Sequence, residues 1–231
     1  MAKKALITGG NKGIGLATAR KLLERGYEVT VVGRDFTGFD LPNVKTVVFN
    51  LEDVESIPDL VKEVGEIDVL VNNAGIGIRE RYDEYTDASI EKILNVNLKA
   101  PVKLITEYSS TLKKRHGRVV NVASQAAEIG HRDLWYGITK AGLVNATKSF
   151  SEIIGIDGVV INAVAPGPVR TTMIENSIFE DRYINLRDRT ILGRIAEPEE
   201  VADVIVWLAD EAPEYVNGEV IDINNGAQRI K

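Results

Sequence analysis

The stretch Ala5-Leu6-Ile7-Thr8-Gly9-Gly10-Asn11-Lys12-Gly13-Ile14-Gly15 decides the fold. Its apolar start reads as a short strand, and a glycine-rich turn follows. Leu16, Ala17, Ala19, Leu22 and Leu23 then recur at helical spacing as far as Gly26, a helix stop. Strand, glycine turn and helix start in that order make a phosphate site. Glycines let the backbone approach an anion, and the free N–H groups and dipole of a helix N-terminus favour negative charge. Gly9, Gly13 and Gly15 are spaced Gly-x-x-x-Gly-x-Gly, whereas dinucleotide folds more commonly show Gly-x-Gly-x-x-Gly.

Outward from this turn, apolar runs alternate with helical patterns. Tyr27 to Val32 is a β-branched run ending at Gly33-Arg34-Asp35, and Val44 to Phe49 is another. Asp53 to Val64 is weakly helical and broken at Pro58; Ile67 to Val71 is a short buried strand running into Asn72-Asn73-Ala74-Gly75. Thr86 to Leu112 is helical, with Pro101 as a kink or break. Val119 to Val122 leads to Ala123-Ser124, and a helix opening at Tyr136 continues through Leu143, Val144, Phe150 and Ile154. Val159 to Val164 is a strand ending at Pro166-Gly167-Pro168. A helix spans Glu197 to Leu208 with Pro198 near its start, and Glu219 to Ile223 is a last strand. This alternation predicts an α/β protein with a mostly parallel sheet and helices on both faces. Ligands of such sheets sit at the C-terminal ends of the strands, where Gly9 to Gly15, Gly33-Arg34, Asn72 to Gly75, Ser124 and Pro166-Gly167 all fall.

With 231 residues, 44% hydrophobic and 27% charged, the chain has the composition of an ordinary globular protein of one large domain. A net charge of -6 and a pI near 5.2 argue against a nucleic-acid or polyanion binder. No apolar run approaches the ~20 residues of a membrane span. Met1 to Gly10 passes from two lysines into a strand and turn, leaving no room for a signal peptide, so the expected location is cytoplasmic. The absence of cysteine excludes disulfides and thiol chemistry. With only His116 and His131 present, no metal site is expected.

Tyr136-Gly137-Ile138-Thr139-Lys140 carries the chemistry. Residues four apart share a helix face, so a phenol and an ammonium lie side by side. A free tyrosine titrates near ~10, and a fixed positive charge beside it favours phenolate. That is one way to make tyrosine a general acid or base. The same spacing also occurs in pairs that merely decorate a helix surface.

Thr8-Gly9-x-x-x-Gly13-Ile14-Gly15, Asn72-Asn73-Ala74-Gly75, Asn97 within Asn95-Val96-Asn97-Leu98, Ser124, Tyr136-x-x-x-Lys140 and Pro166-Gly167-Pro168-Val169-Arg170-Thr171 occur in that order. Leu192-Gly193-Arg194 to Pro198-Glu199-Glu200-Val201-Ala202 follows. In this set the chain resembles the short-chain dehydrogenase/reductase family nearly end to end. The resemblance implies a Rossmann-type doubly wound sheet of seven strands, one domain over 1–231, and a substrate loop at about 172–195. It also implies a nicotinamide-dependent oxidoreductase acting on a small-molecule carbonyl or alcohol. Tyr136 is then the general acid or base, and Lys140 binds the nicotinamide ribose and depresses the Tyr136 pKa. Ser124 bonds the reacting oxygen, and Asn97 holds a water beside Lys140. The implied cofactor contacts are Gly9, Asn11, Lys12, Gly13, Ile14, Gly15, Arg34, Asn50, Leu51, Asn73, Ala74, Gly75, Tyr136, Lys140, Pro166, Gly167, Val169 and Thr171. A homotetramer is implied as well, with the Thr86–Leu112 and Tyr136–Ile154 helices between subunits and Ala141, Gly142 and Ala146 permitting close contact.

The chain departs from the family pattern at Asn50-Leu51, where many relatives place an adenine-contacting Asp, and at Asn224-Asn225-Gly226, where Asp-Gly-Gly is usual. Gly33 to Val44 is too short for the family's full helix. At the end of the second strand an NAD-specific site places a carboxylate on the ribose hydroxyls. Here Gly33 and Arg34 stand there, with Lys12 on the glycine turn, so NADP(H) is expected over NAD(H) provided Asp35 points away. Substrate contacts are expected from Ile76 to Tyr85, Ala126 to Trp135 and Thr172 to Ile195, with Arg79, Arg81, His131 or Arg132 as candidates for a polar or anionic substrate. Two rival readings are a non-catalytic nucleotide sensor and a sugar-nucleotide epimerase or dehydratase. The intact Ser124, Tyr136 and Lys140 oppose the first. The glycine spacing and lack of a C-terminal substrate domain oppose the second.

Overall fold

The computed structural model describes residues 2–78, 80–171 and 187–227. Its sheet is built from β1 (Lys4–Thr8), β2 (Glu28–Gly33), β3 (Val44–Val48), β4 (Val69–Asn72), β5 (Arg118–Val122), β6 (Val160–Pro166) and β7 (Val220–Ile223). The seven strands lie in the order β3-β2-β1-β4-β5-β6-β7, and every neighbouring pair is parallel. The helices are α1 (Gly13–Glu24), α2 (Ile57–Val64), α3 (Asp87–Leu94), α4 (Ala100–Arg115), α5 (Leu134–Gly155) and α6 (Pro198–Val206). Strand order reverses between β1 and β4, which opens a crevice at their C-terminal ends.

Each face of the sheet has its own core. Ala19 and Leu22 of α1 and Val201 and Ile205 of α6 pack with Ile7, Val31 and Val71 on one side. Leu104, Ile105, Tyr108 and Leu112 of α4, with Ile57 and Leu60 of α2, pack with Leu6, Leu70 and Val119 on the other. Strands buried on both faces need apolar residues at successive positions. That is why β4 and β6, buried at every position, read as apolar runs interrupted only by Asn72 and Asn162 rather than as alternating ones.

Pro58 acts differently from the sequence expectation, whereas Pro101 accompanies the expected interruption. Pro58 does not break a helix but stands in the first turn of α2, where its missing N–H has no intrahelical partner to lose. The Thr86–Leu112 pattern resolves into α3 and α4 joined by a π-turn over Asn95–Lys99, with Pro101 just inside α4. Ala100 N–H reaches back five residues to Asn95 O. Pro101 has no N–H to offer the carbonyl four residues behind it, that of Asn97. Between β2 and β3 the described chain contains no helix, as its length implied.

Candidate active site

The glycine turn is tied to the neighbouring strand end by Thr8 and Asn73. Thr8 Oγ1 accepts from the N–H groups of Asn73 at 3.0 Å and Ala74 at 3.1 Å. Asn73 Nδ2 donates to Thr8 O at 2.9 Å and Gly9 O at 3.1 Å. Gly9 and Gly13 have φ of 65° and 53°, a region that favours glycine. No side chain caps the start of α1, so its first N–H groups face the turn unblocked. A methyl group at Gly13 would lie 3.2 Å from Thr171 Cγ2, which places Thr171 over the turn. At Gly15 a Cβ would lie 2.3 Å from Gly9 O and 2.5 Å from Asn73 Nδ2, both well inside contact distance. This backbone cradle fits a dinucleotide's phosphates. Gly15→Ala is therefore expected to destabilise the fold by about 1–3 kcal/mol and to weaken dinucleotide binding. A urea midpoint and cofactor affinity matching the wild type would refute the role given to Gly15.

At the end of β2, Asn11 Nδ2 donates to Asp35 O at 2.8 Å. The Asp35 carboxylate accepts from Thr37 N at 2.8 Å and Thr37 Oγ1 at 2.7 Å, bonds that hold its pKa below the usual range. Asp35 thus turns toward Thr37. Asn50 Oδ1 accepts the Glu52 N–H at 3.2 Å, and Leu51 is buried. Arg34 is exposed and faces Glu52, Nη1 to Oε1 3.7 Å, while Lys92 approaches the same oxygen at 3.1 Å. Neither Glu52 nor Lys92 belongs to a motif, and sequence reading missed both.

Ser124, Tyr136 and Lys140 converge at the ends of β5 and α5. Ser124 accepts from Ala126 N at 3.2 Å as the cap of a short 3₁₀ turn, and its hydroxyl lies near enough to the Tyr136 phenol to pull that group's pKa down. It therefore serves as both a cap and a partner of the phenol. Tyr136 is partly exposed at the crevice. Lys140 is buried, with Nζ 2.7 Å from Val122 O and 5.8 Å from the centre of the Tyr136 ring. A Cβ at Gly75 would lie 3.3 Å from Lys140 Nζ, so the missing side chain leaves room beside the ammonium.

The electrostatics differ from the sequence expectation. Burial pushes the Tyr136 phenol above its ordinary value, the Ser124 hydroxyl opposes this, and the charge of Asp133 adds to it. Burial pushes Lys140 down to about 8. Desolvation thus outweighs any lowering of the Tyr136 pKa by the nearby ammonium.

Asn97 is fully enclosed in the π-turn. Its Oδ1 accepts Ile76 N–H at 2.8 Å, and its Nδ2 donates to Ile76 O at 2.9 Å and Thr139 Oγ1 at 3.2 Å. The amide is thus committed to the Ile76 backbone, and Pro101, which has no N–H, offers the Asn97 carbonyl no i+4 helical donor. Pro166 ends β6, Gly167 N donates to Ile223 O at 2.9 Å, and Val169 is buried.

Asp133 was also missed. It caps α5 by accepting Tyr136 N at 3.1 Å, and it takes Tyr85 OH at 2.7 Å and Ile78 N at 2.9 Å. An Asp three residues before Tyr136, opening a helix, was the available signal. His131 lies 5.3 Å from the Tyr136 ring, centre to centre. A methyl group at Gly142 would lie 3.0 Å from Leu98 Cδ2 of the same chain, so Gly142 faces the π-turn. Arg79 and most of the expected substrate loop, 172–186, lie outside the described residues.

A family model described as enoyl-(acyl carrier protein) reductase matches residues 9–228. The chain belongs to the short-chain dehydrogenase/reductase family. Among curated family members, the 3-oxoacyl-(acyl-carrier-protein) reductase of Vibrio harveyi is 35% identical over 99% of this chain and 98% of that enzyme. The enzyme of that name from Aquifex aeolicus is 36% identical over 97% and 96%. A solved short-chain dehydrogenase/reductase superposes with a TM-score of 0.89 at 30% identity, covering 99% of this chain and 98% of its own. A putative 2-deoxy-D-gluconate 3-dehydrogenase from Agrobacterium tumefaciens with bound NADP gives 0.89 at 28% identity, covering 98% and 96%. As in the family, the protein is an NAD(P)-dependent oxidoreductase. Among the described residues no helix is long and apolar enough to cross a membrane.

Proposed function

We propose that the protein transfers hydride between NADP(H) and a carbonyl or secondary alcohol, with Tyr136 as the general acid or base. The observation that carries this is the Tyr136 ring beside the buried Lys140 ammonium, one helical turn apart, with Ser124 next to the phenol, in the crevice that the glycine turn also lines. When bound, the reduced nicotinamide supplies the hydride. Tyr136, its pKa raised, holds a proton at neutral pH and delivers it to the substrate oxygen. Ser124 donates to the same oxygen as charge develops. Lys140 anchors the nicotinamide ribose in the space beside Gly75, and the Asn97 carbonyl holds a water that relays protons to it. A keto group is the functional group that such an oxygen-directed pair serves, and the curated relatives are named for keto reduction. Purified protein assayed with ketones, sugars and 3-oxoacyl thioesters, following absorbance of the reduced cofactor, tests the reading. Absence of turnover with every class would refute it.

Arg34 just past the end of β2 and Lys12 on the glycine turn, with Asp35 turned to Thr37, support NADP(H) over NAD(H). A charge-assisted hydrogen bond contributes roughly 1.5–3 kcal/mol, and ~1.4 kcal/mol is a decade. The expected result is a kcat/KM for NADPH at least about tenfold above that for NADH, falling in Arg34→Ala. Equal efficiency with both cofactors would overturn it. The working form is a cytoplasmic homotetramer built through α4 and α5. Ile138 and Ile153, exposed on α5, support that assignment.

A further inference from the structure

We infer that Glu52 sets the strength of 2′-phosphate selection by competing with that phosphate for Arg34. The inference rests on the NADP(H) reading above. Three segments distant in sequence meet here: the end of β2 with Arg34, the turn after β3 with Glu52, and α3 with Lys92. The Glu52 backbone is held in place from behind. Asn95 Nδ2 donates to Glu52 O at 3.1 Å, and Glu52 N donates to Asn50 Oδ1 at 3.2 Å. Its side chain is 28% exposed, against 60% for Arg34.

The two cations are not held alike. Lys92 lies 3.1 Å from Glu52 Oε1, whereas Arg34 Nη1 stands 3.7 Å from the same oxygen. Charge-assisted N–H···O bonds are ~2.7–2.9 Å long, so the guanidinium is loosely engaged and retains donors for another anion. A phosphate monoester carries close to two negative charges near neutral pH. It can draw Arg34 away while Lys92 continues to neutralise Glu52. Asp35 does not enter this exchange, since its carboxylate faces Thr37. A fixed negative charge beside the guanidinium therefore moderates attraction for the 2′-phosphate and leaves a 2′-hydroxyl cofactor untouched. Replacing Glu52 by Gln removes the charge, nearly preserves the volume, and leaves both backbone bonds available.

Calorimetric titration of the full chain with 2′,5′-ADP and with 5′-AMP tests this without turnover. Glu52→Gln is expected to bind 2′,5′-ADP about three- to tenfold more tightly, with 5′-AMP affinity unchanged and the gain shrinking in high salt. Arg34→Ala should weaken 2′,5′-ADP binding, and in the Arg34→Ala background Glu52→Gln should lose its effect. If Arg34→Ala changes nothing, the NADP(H) reading itself fails. If Arg34→Ala weakens binding but Glu52→Gln leaves it unchanged or weaker, the competition is overturned and the reading stands. A Glu52→Gln gain that persists without Arg34 also overturns the competition. Thermal midpoints of each variant verify that it is folded, and Glu52→Ala repeats the test if Gln does not fold.

Discussion

Tyr136→Phe is expected to lower kcat by ~10²–10⁴-fold, the usual range for a general acid or base, while leaving cofactor affinity nearly intact. The substitution removes one oxygen from a ring that stays packed beside His131. What is lost is the proton, together with the phenol oxygen that Ser124 stabilises. Because burial raises the Tyr136 pKa, the phenol remains protonated through neutral pH and reduction is supported there. Lys140 loses its own proton first, near pH 8, so reduction by the wild type should decline above about that pH. Single-turnover rates with saturating reduced cofactor provide the measurement. A Phe variant within about threefold of wild type would remove Tyr136 from the mechanism.

Lys140→Met is expected to cut activity by at least about a hundredfold, at the low end of acid–base contributions, to weaken cofactor binding, and yet to make the protein more stable at pH 7. Lys140 is 3% exposed, and burial lowers its pKa from 10.5 to about 8. Each unit is worth ~1.4 kcal/mol, so holding the charged amine inside costs about 3 kcal/mol. The bond to Val122 O offsets about 1 kcal/mol of any gain from its removal. A net stabilisation of about 2 kcal/mol remains for the Met variant at pH 7. The sign reverses with pH. Between about 8 and 10.5 the unfolded wild type keeps a proton that the folded form has released, so wild-type stability rises through that window. Urea titrations at pH 7 and pH 10 should therefore show the advantage of Met shrinking to zero or inverting. A Met variant less stable than wild type at pH 7 would mean that the buried ammonium carries no desolvation penalty.

Much of this architecture is legible locally. Gly9, Gly13 and Gly15 announce a turn because two of them adopt positive φ and the third admits no Cβ. Mostly apolar runs announce strands covered on both faces. The i, i+4 spacing of Tyr136 and Lys140 places them together before any tertiary contact is known. Pro58 was harder to read, since proline in a first turn and proline in a break look alike in one dimension.

The sequence by itself thus determined the parallel α/β fold, the glycine turn after the first strand and the placement of Tyr136 beside Lys140 on one helix face. Each depends on residue type and on spacing within a single element or strand–turn–helix unit. The tertiary structure alone decided how those groups are tuned. Whether Tyr136 is pushed up or down depends on how much water its neighbours exclude, and desolvation has no signature in spacing. Asn97 spends its amide on Ile76 because the π-turn aims it there. Glu52 meets Arg34 and Lys92, and Asp133 meets Ile78 and Tyr85, only because the strand order brings distant segments to one edge of the sheet. Coulomb and hydrogen-bond energies fall off over a few ångströms of space, whatever the number of residues between the partners.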